Sequence, residues 1–221
     1  MSASRAVLFD LDETLVNRRE GLIRFATQLW QEGLVHDECE ADFVQDFLLL
    51  DNLGSTPRAE FFRLLTRKHM PAVDAEILLE RFLSEAWLAP QLFPDAVDTL
   101  RALEARGWKV GIVSNGSSRT QREKINRTAL KAWGHLAVIS EEFGSKKPDP
   151  AIYAEALARL GAEAAESWFV GDCAVNDVVG AASAGLHAIW LERHGSWPEQ
   201  YERVYAARVT KLREVLDVIR D

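Results

Sequence analysis

Residues 5–16, RAVLFDLDETLV, decide the fold of this chain. Ala6–Phe9 is continuously apolar and bounded by polar residues, which is typical of a strand buried on both faces of a parallel sheet. Asp10 and Asp12 follow at the point where this strand leaves the sheet. Ligands bind at the carboxyl edge of open α/β sheets. Two carboxylates held there repel each other unless a cation offsets their charge, so the sequence predicts a divalent-cation site at this edge.

Strand and helix patterns alternate from residue 93 onward. Short apolar runs that end in small polar residues are separated by segments of helical periodicity. One such segment begins at Asp149, a side chain that caps helix N-termini, and Pro150, which fits the first helical turn. The alternation predicts an α/β fold with a doubly wound, Rossmann-like parallel sheet and helices on both faces. The predicted strands after the first lie at 109–114, 137–139, 168–170 and 187–191.

Residues 17–90 interrupt this alternation and show helical periodicity only. Apolar side chains recur there at the spacing of one buried helix face, as at Leu22, Phe25, Ala26 and Leu29. We interpret this segment as an inserted all-helical cap of four or five helices, expected to lie over the carboxyl edge of the sheet. The catalytic core would then comprise residues 1–16 and 91–221.

The composition is that of an ordinary globular protein, with 48% hydrophobic and 27% charged residues and a net charge of −8. This acidic balance argues against a nucleic acid polymer as a partner, because binding its phosphates requires many Lys and Arg contacts. No stretch is long and apolar enough to span a membrane, and the N-terminus does not resemble a signal peptide. Cys39 and Cys173 are too few for a disulfide framework. We therefore expect a cytoplasmic protein, either a monomer or a homodimer.

Four short motifs follow the predicted strands in a fixed order. They are DLDET at 10–14, SNG at 114–116, KKPDP at 146–150 and GDCAVND at 171–177. Together they resemble the four motifs of the haloacid dehalogenase superfamily of aspartate-nucleophile hydrolases. The inserted helices are similar to the α-helical (C1-type) cap of that superfamily. The resemblance implies an enzyme that acts on a small phosphorylated metabolite with Mg²⁺ as its cofactor.

The resemblance implies a role for each residue of the first motif. Asp10 would be the nucleophile that attacks phosphorus and forms an aspartyl-phosphate. Asp12 would protonate the leaving oxygen and later deprotonate the attacking water, and its backbone carbonyl would also contact the metal. Thr14 would orient the side chain of Asp12. Asp172, from the fourth motif, would complete an all-oxygen Mg²⁺ site with Asp10 and Asp12.

The remaining motif residues would handle the phosphoryl group. Ser114 and the Asn115 amide would hold its oxygens, and Lys147 would neutralise its charge during transfer. Lys147 is chosen over Lys146 because the family pattern places the working lysine directly before proline. Asp177 would hydrogen-bond around Lys147 or metal-bound water.

Position 12 separates two branches of the superfamily. Dehalogenating members resemble this pattern but lack an acid there, because a halide leaves without being protonated. Asp12 therefore favours a phosphatase over a dehalogenase. Two other possibilities stay open: a phosphomutase, and a non-catalytic phosphate-binding module, which is disfavoured because no catalytic position is substituted.

Four further residues have less decisive interpretations. Arg58, in the predicted cap, could grip a substrate anion or could be an ordinary exposed arginine that opens a helix. Glu13, where the family often has glycine, is expected to point to solvent. His187 and His194 lack metal-ligand spacing and are interpreted as structural or surface groups.

Overall fold

The computed structural model describes residues 4–36, 39–193 and 195–220, so the interpretation of His194 lies outside the described residues. The chain forms two compact units. One unit comprises the chain up to Asn17 and from Leu92 onward, and the other runs from Arg18 to Gln91.

The first unit is built on a six-stranded sheet in the order β3-β2-β1-β4-β5-β6. Every strand pairs with its neighbours in parallel, which confirms the predicted doubly wound sheet. The last strand was missed because three residues carry too little pattern to be recognised. The strands are β1 (Ala6–Phe9), β2 (Lys109–Ser114), β3 (Val138–Ile139), β4 (Trp168–Gly171), β5 (His187–Leu191) and β6 (Ala207–Val209).

Strand β1 is buried on both faces because helices cover both sides of the sheet. Val7 and Phe9 pack into one hydrophobic cluster, and Ala6 and Leu8 pack into a second cluster on the other face. The successive side chains of a strand point to opposite faces, so a strand buried on both sides is apolar at every position. The helices of this unit are α5 (Ala96–Ala105), α6 (Ser118–Asn126), α7 (Ser140–Phe143), α8 (Pro150–Leu160), α9 (Gly180–Ser183) and α10 (Val215–Val218).

The segment after β4 differs from the continuous helix that its sequence predicts. A π-helical turn, Ala174–Val179, comes first, and α9 follows it. At the junction, a Cβ atom on Gly180 would lie only 2.3 Å from the hydroxyl oxygen of Tyr153. The wider turn is thus packed closely against α8, and turns of this kind are frequent at functional sites.

The second unit is helical throughout its described residues. Its core is built on the phenylalanines Phe25, Phe43, Phe47, Phe61, Phe62 and Phe82, which make tilted or edge-to-face ring contacts. The helices are α1 (Arg18–Gln31), α2 (Glu40–Asp51), α3 (Arg58–His69) and α4 (Ala75–Glu85). None of the helices in the described part of the chain combines the length and apolar character needed to cross a membrane.

Arg58 is held by an ion pair within this unit. Its Nη1 and the Nη2 of Arg18 each lie 2.6 Å from Oδ1 of Asp51. Although burial raises the pKa of Asp51, the two guanidinium groups hold it below its usual value. Arg58 is therefore a fixed cation whose side chain is 30% exposed. This ion pair fits the interpretation of Arg58 as an ordinary arginine at the start of a helix, and no contact with a substrate is predicted for it.

Candidate active site

Three adjacent strands deliver the predicted polar residues to one edge of the sheet. Asp10 directly follows β1, and its backbone N–H donates to the Val170 carbonyl on β4 at 3.0 Å. Ser114 is the last residue of β2, and Asp172 directly follows β4. Because β1 lies between β2 and β4, these residues gather at the carboxyl edge, as the sequence predicted.

Lys147 is a buried cation that pairs with two carboxylates of this site. Its Nζ lies 2.6 Å from Oδ1 of Asp10 and 2.6 Å from Oδ1 of Asp177, and the lysine is 2% exposed. Burying an ammonium group is costly unless it is well paired, and here two carboxylates share it. Lys147 therefore joins the first motif to the fourth, and Asp177 contacts it as expected.

Asn115 fixes the segment that carries Lys147. Its side-chain Oδ1 accepts from the Lys147 backbone N–H at 2.8 Å, and its Nδ2 donates to the Lys147 carbonyl at 2.9 Å. The side-chain amide therefore positions the lysine backbone and does not point toward a phosphoryl group. A role for Asn115 in holding phosphoryl oxygens would have to come from its main-chain N–H, and it stays a prediction.

The side chains of Asp10, Asp172 and Asp177 form a candidate metal centre. Each offers a carboxylate oxygen, and these oxygens lie within 4.8 Å of one another. Three carboxylates facing one lysine leave an excess of negative charge in a buried site. Oxygen donors with this excess charge suit a hard divalent cation. Asp177, which the sequence placed only in support, belongs to this cluster, whereas the carboxylate of Asp12 does not.

The raised pKa values of two carboxyl groups in this cluster also indicate a cation-binding site. The pKa of Asp10 is raised to about 7, chiefly by burial and also by the charges of Asp177 and Asp12, against the opposing effect of Lys147. Burial also raises the pKa of Asp172, as do the charges of Asp177 and Asp10. A cation would reverse both shifts because it stabilises the ionised carboxylates.

Asp12 has two contacts that the sequence did not reveal. The Nζ of Lys124 lies 2.7 Å from each of its carboxylate oxygens, and Nε2 of Gln121 donates to Oδ2 at 2.9 Å. Both partners come from α6, which is polar at most positions. The only available signal was the helical spacing of 121 and 124 with the apolar Ile125. In so polar a helix, that signal does not identify which side chains are buried.

Two residues of the first motif are placed differently from expectation. Thr14 was expected to orient Asp12, but its Oγ1 lies 3.4 Å from Oδ1 of Asp172. Glu13 was expected to point to solvent, but it is 8% exposed and has φ of 60°. The backbone in this left-handed conformation turns Glu13 into the protein, and glycine adopts the same conformation without strain. The exposed Lys146 matches its interpretation as a surface charge.

Comparison with known proteins identifies relatives along nearly the whole chain. Residues 4–185 match a family model described as haloacid dehalogenase-like hydrolase. A glyceraldehyde 3-phosphate phosphatase from Methanopyrus kandleri is 32% identical, with 98% of this chain and 97% of the relative covered. A phosphoserine phosphatase from Thermus thermophilus is also 32% identical, with 97% and 92% covered.

A solved structure of a related protein has a similar fold. The crystal structure of a HAD phosphatase from Thermococcus onnurineus is similar with a TM-score of 0.67 and 29% identity. The similarity covers 97% of both chains. The matched region therefore includes every residue of the site described above.

Proposed function

The chain belongs to the haloacid dehalogenase-like hydrolase family, and on that basis we propose that Asp10 is its catalytic nucleophile. Its phosphatase relatives identify it as a phosphoric monoester hydrolase. The observation that carries the proposal is the convergence of the Asp10, Asp172 and Asp177 carboxylates, of which Asp10 and Asp177 pair with the ammonium group of Lys147.

In the first step, a carboxylate oxygen of Asp10 attacks phosphorus, and the bond from phosphorus to the ester oxygen breaks. Asp12 donates a proton to the departing oxygen, so an alcohol leaves and an aspartyl-phosphate remains. The ammonium group of Lys147, 2.6 Å from Asp10, stabilises the negative charge that gathers around the phosphoryl group. Ser114, at the end of the adjacent strand, would hold a phosphoryl oxygen.

In the second step, Asp12 takes a proton from a water molecule that attacks the phosphorus of the aspartyl-phosphate. The bond between phosphorus and Asp10 breaks, inorganic phosphate leaves, and both carboxyl groups return to their starting states. One residue thus serves as acid and then as base, because Asp12 is left as a carboxylate once the alcohol has taken its proton and regains a proton from water in the second step.

A divalent metal belongs to this site, and we infer that it is Mg²⁺. Asp10, Asp172 and the backbone carbonyl of Asp12 would hold it, with Asp177 close to it. Its chemistry is that of a Lewis acid which offsets the charge of the phosphoryl oxygens. The all-oxygen donor set suits Mg²⁺, which retains several water ligands in such sites.

The substrate is a small phosphorylated molecule, and we infer a phosphorylated metabolite with a three-carbon or similarly small leaving group. Two relatives that cover nearly the whole chain are named for glyceraldehyde 3-phosphate and for phosphoserine. The helical unit from Arg18 to Gln91 would act as the cap that selects among such substrates. We further infer that the protein acts in the cytoplasm, as a monomer or a homodimer.

Replacement of the nucleophile tests the proposal. Asp10→Asn should abolish turnover of p-nitrophenyl phosphate in the presence of Mg²⁺, whereas the exposed Asp98→Asn should retain it. A hydroxylamine-sensitive phosphoenzyme should form in the wild type and be absent from Asp10→Asn. Release of inorganic phosphate without a bisphosphate activator distinguishes the phosphatase from a phosphomutase. Unchanged turnover in Asp10→Asn would remove Asp10 from the mechanism.

A further inference from the structure

Lys124 and Gln121 form a clamp around the carboxylate of Asp12. The two residues are 1% and 2% exposed, whereas the side chain of Asp12 keeps 22% of its surface accessible. Lys124 contacts both carboxylate oxygens at 2.7 Å, and its Nζ also donates to Oε1 of Gln121 at 2.9 Å. Lys124 and Gln121 thus hold the carboxylate on its buried side, and its other side remains accessible to solvent.

Gln121 connects this clamp to the phosphoryl-binding motif. Its Nε2 lies 2.6 Å from Oγ of Ser114 and 2.9 Å from Oδ2 of Asp12. A Cβ atom on Gly116 would lie 3.1 Å from two side-chain carbons of Gln121. The glycine of the SNG motif therefore leaves room for the glutamine that joins Ser114 to Asp12.

A proton-transferring carboxylate must lie within hydrogen-bond reach of the reacting oxygen, and its efficiency falls steeply when it is misplaced. Asp12 sits on the loop that follows β1, where the backbone alone does not fix a side-chain rotamer. A buried lysine that contacts both oxygens at equal distance removes that freedom. A buried ammonium also has a large desolvation cost, which a single carboxylate partner offsets only with good geometry.

We propose that Lys124 is a positioning residue for the proposed phosphatase reaction, which holds the Asp12 carboxylate in the orientation required for both proton transfers. The proposal rests on the role of Asp12 in the proposed function. Gln121 assists Lys124, because its Nε2 donates both to the Asp12 carboxylate and to the Ser114 hydroxyl and so links the positions of these two side chains. Both residues act through the Asp12 carboxylate and not on the substrate itself.

The test compares two aryl phosphates of similar shape. p-Nitrophenol is a good leaving group that departs without a proton, whereas phenol departs more readily when it is protonated. Because kcat/KM reports the steps up to departure of the leaving group, Lys124→Met should lower it about 10- to 100-fold for phenyl phosphate. For p-nitrophenyl phosphate, kcat/KM should change less than about threefold while kcat falls, because hydrolysis of the phosphoenzyme still requires Asp12.

Three single variants and one double variant serve as controls for this test. Lys124→Arg keeps the charge and two donors and should recover most of the loss on phenyl phosphate. Lys131→Met, at an exposed position, should behave as the wild type. Asp12→Asn should show the same selectivity for leaving groups, and adding Lys124→Met to it should cause no further selective loss.

Each outcome has a defined meaning. If Lys124→Met lowers kcat/KM equally for both substrates, or leaves both unchanged, the positioning role is overturned. The positioning role would also be overturned if the selective losses of Lys124→Met and Asp12→Asn multiplied in the double variant. If Asp12→Asn itself fails to discriminate between the two substrates, the proposed function of Asp12 fails instead. If the Lys124→Met protein does not fold, Gln121→Leu takes its place: a selective loss on phenyl phosphate is expected, and a wild-type substrate ratio would overturn the proposal.

Discussion

A Cβ atom on Gly171 would lie 2.4 Å from the carboxyl carbon of Asp177. The last residue of β4 and a buried acidic side chain of the π-helical turn thus occupy adjoining space, with only hydrogen atoms between them. This contact holds the Asp177 carboxylate where it accepts from Lys147 and from the Cys173 backbone N–H. Because of this close approach, position 171 in the fourth motif requires glycine.

Gly171→Ala should therefore displace Asp177 and weaken its hold on Lys147. We expect kcat/KM for p-nitrophenyl phosphate to fall about 10- to 100-fold, since misplacement of a charged group by about 1 Å has effects of this size. Steady-state kinetics at saturating Mg²⁺ would measure it. Gly107→Ala is the matched control, because a Cβ there meets nothing within 4 Å although φ is +82°. The control should lose about 1 kcal/mol of stability and keep its activity.

Lys147→Met should nearly eliminate activity, because it removes the one ammonium group that pairs Asp10 and Asp177. We expect a loss of about three orders of magnitude in kcat, which is typical when a group that stabilises developing charge is removed. Lys146→Met is the natural control, since the neighbouring lysine is exposed, and it should stay within about twofold of the wild type. Turnover of p-nitrophenyl phosphate checks both, and comparable losses in the two variants would contradict the distinction between them.

The stability of the metal-free protein should fall as the pH rises from about 4 to about 7. Burial raises the pKa of Asp10 from 3.8 to about 7, so in this range the folded state binds more protons than the unfolded state. The free energy of unfolding then decreases with pH, by at most about 4 kcal/mol from this group. Urea unfolding in EDTA at about pH 5 and pH 8 would measure the slope, and Asp10→Asn should make it shallower, with Asp172 supplying what remains.

Mg²⁺ should restore the stability that the wild type loses at high pH. A cation that binds only the folded state at about 100 times its dissociation constant stabilises it by about 2.7 kcal/mol. The same addition should have a smaller effect on Asp172→Asn, because one carboxylate of the cluster is gone. Equal stabilisation of both proteins would place the cation elsewhere.

Asp149→Ala should destabilise α8 without changing the chemistry. The Asp149 side chain accepts from the Ala151 backbone N–H at 2.9 Å and caps the helix, with Pro150 in its first turn. Loss of such a cap destabilises the helix because the backbone N–H groups of its first turn lose their acceptor. Thermal unfolding should show a lower Tm, with kcat/KM for p-nitrophenyl phosphate unchanged. The conservative Asp149→Ser should retain most of the stability.

Strands β1 to β5 and the start of α8 were predictable from sequence because their signals are local. The apolar run Ala6–Phe9 marks its strand, and Asp149 followed by Pro150 marks the start of α8, through neighbouring residues alone. The order of the motifs also predicted which side chains meet, because parallel strands bring their carboxyl ends to one edge. Asp10, Lys147 and Asp172 meet there as expected.

Only the tertiary structure decided which partner each of these side chains takes. Lys124 is buried on Asp12, Thr14 contacts Asp172, and Glu13 turns inward, although nothing near them in sequence indicates it. The physical reason is that a polar side chain in a polar stretch can be satisfied by water or by protein. The choice between them depends on which distant segment is packed against it, and short-range patterns carry no information about that.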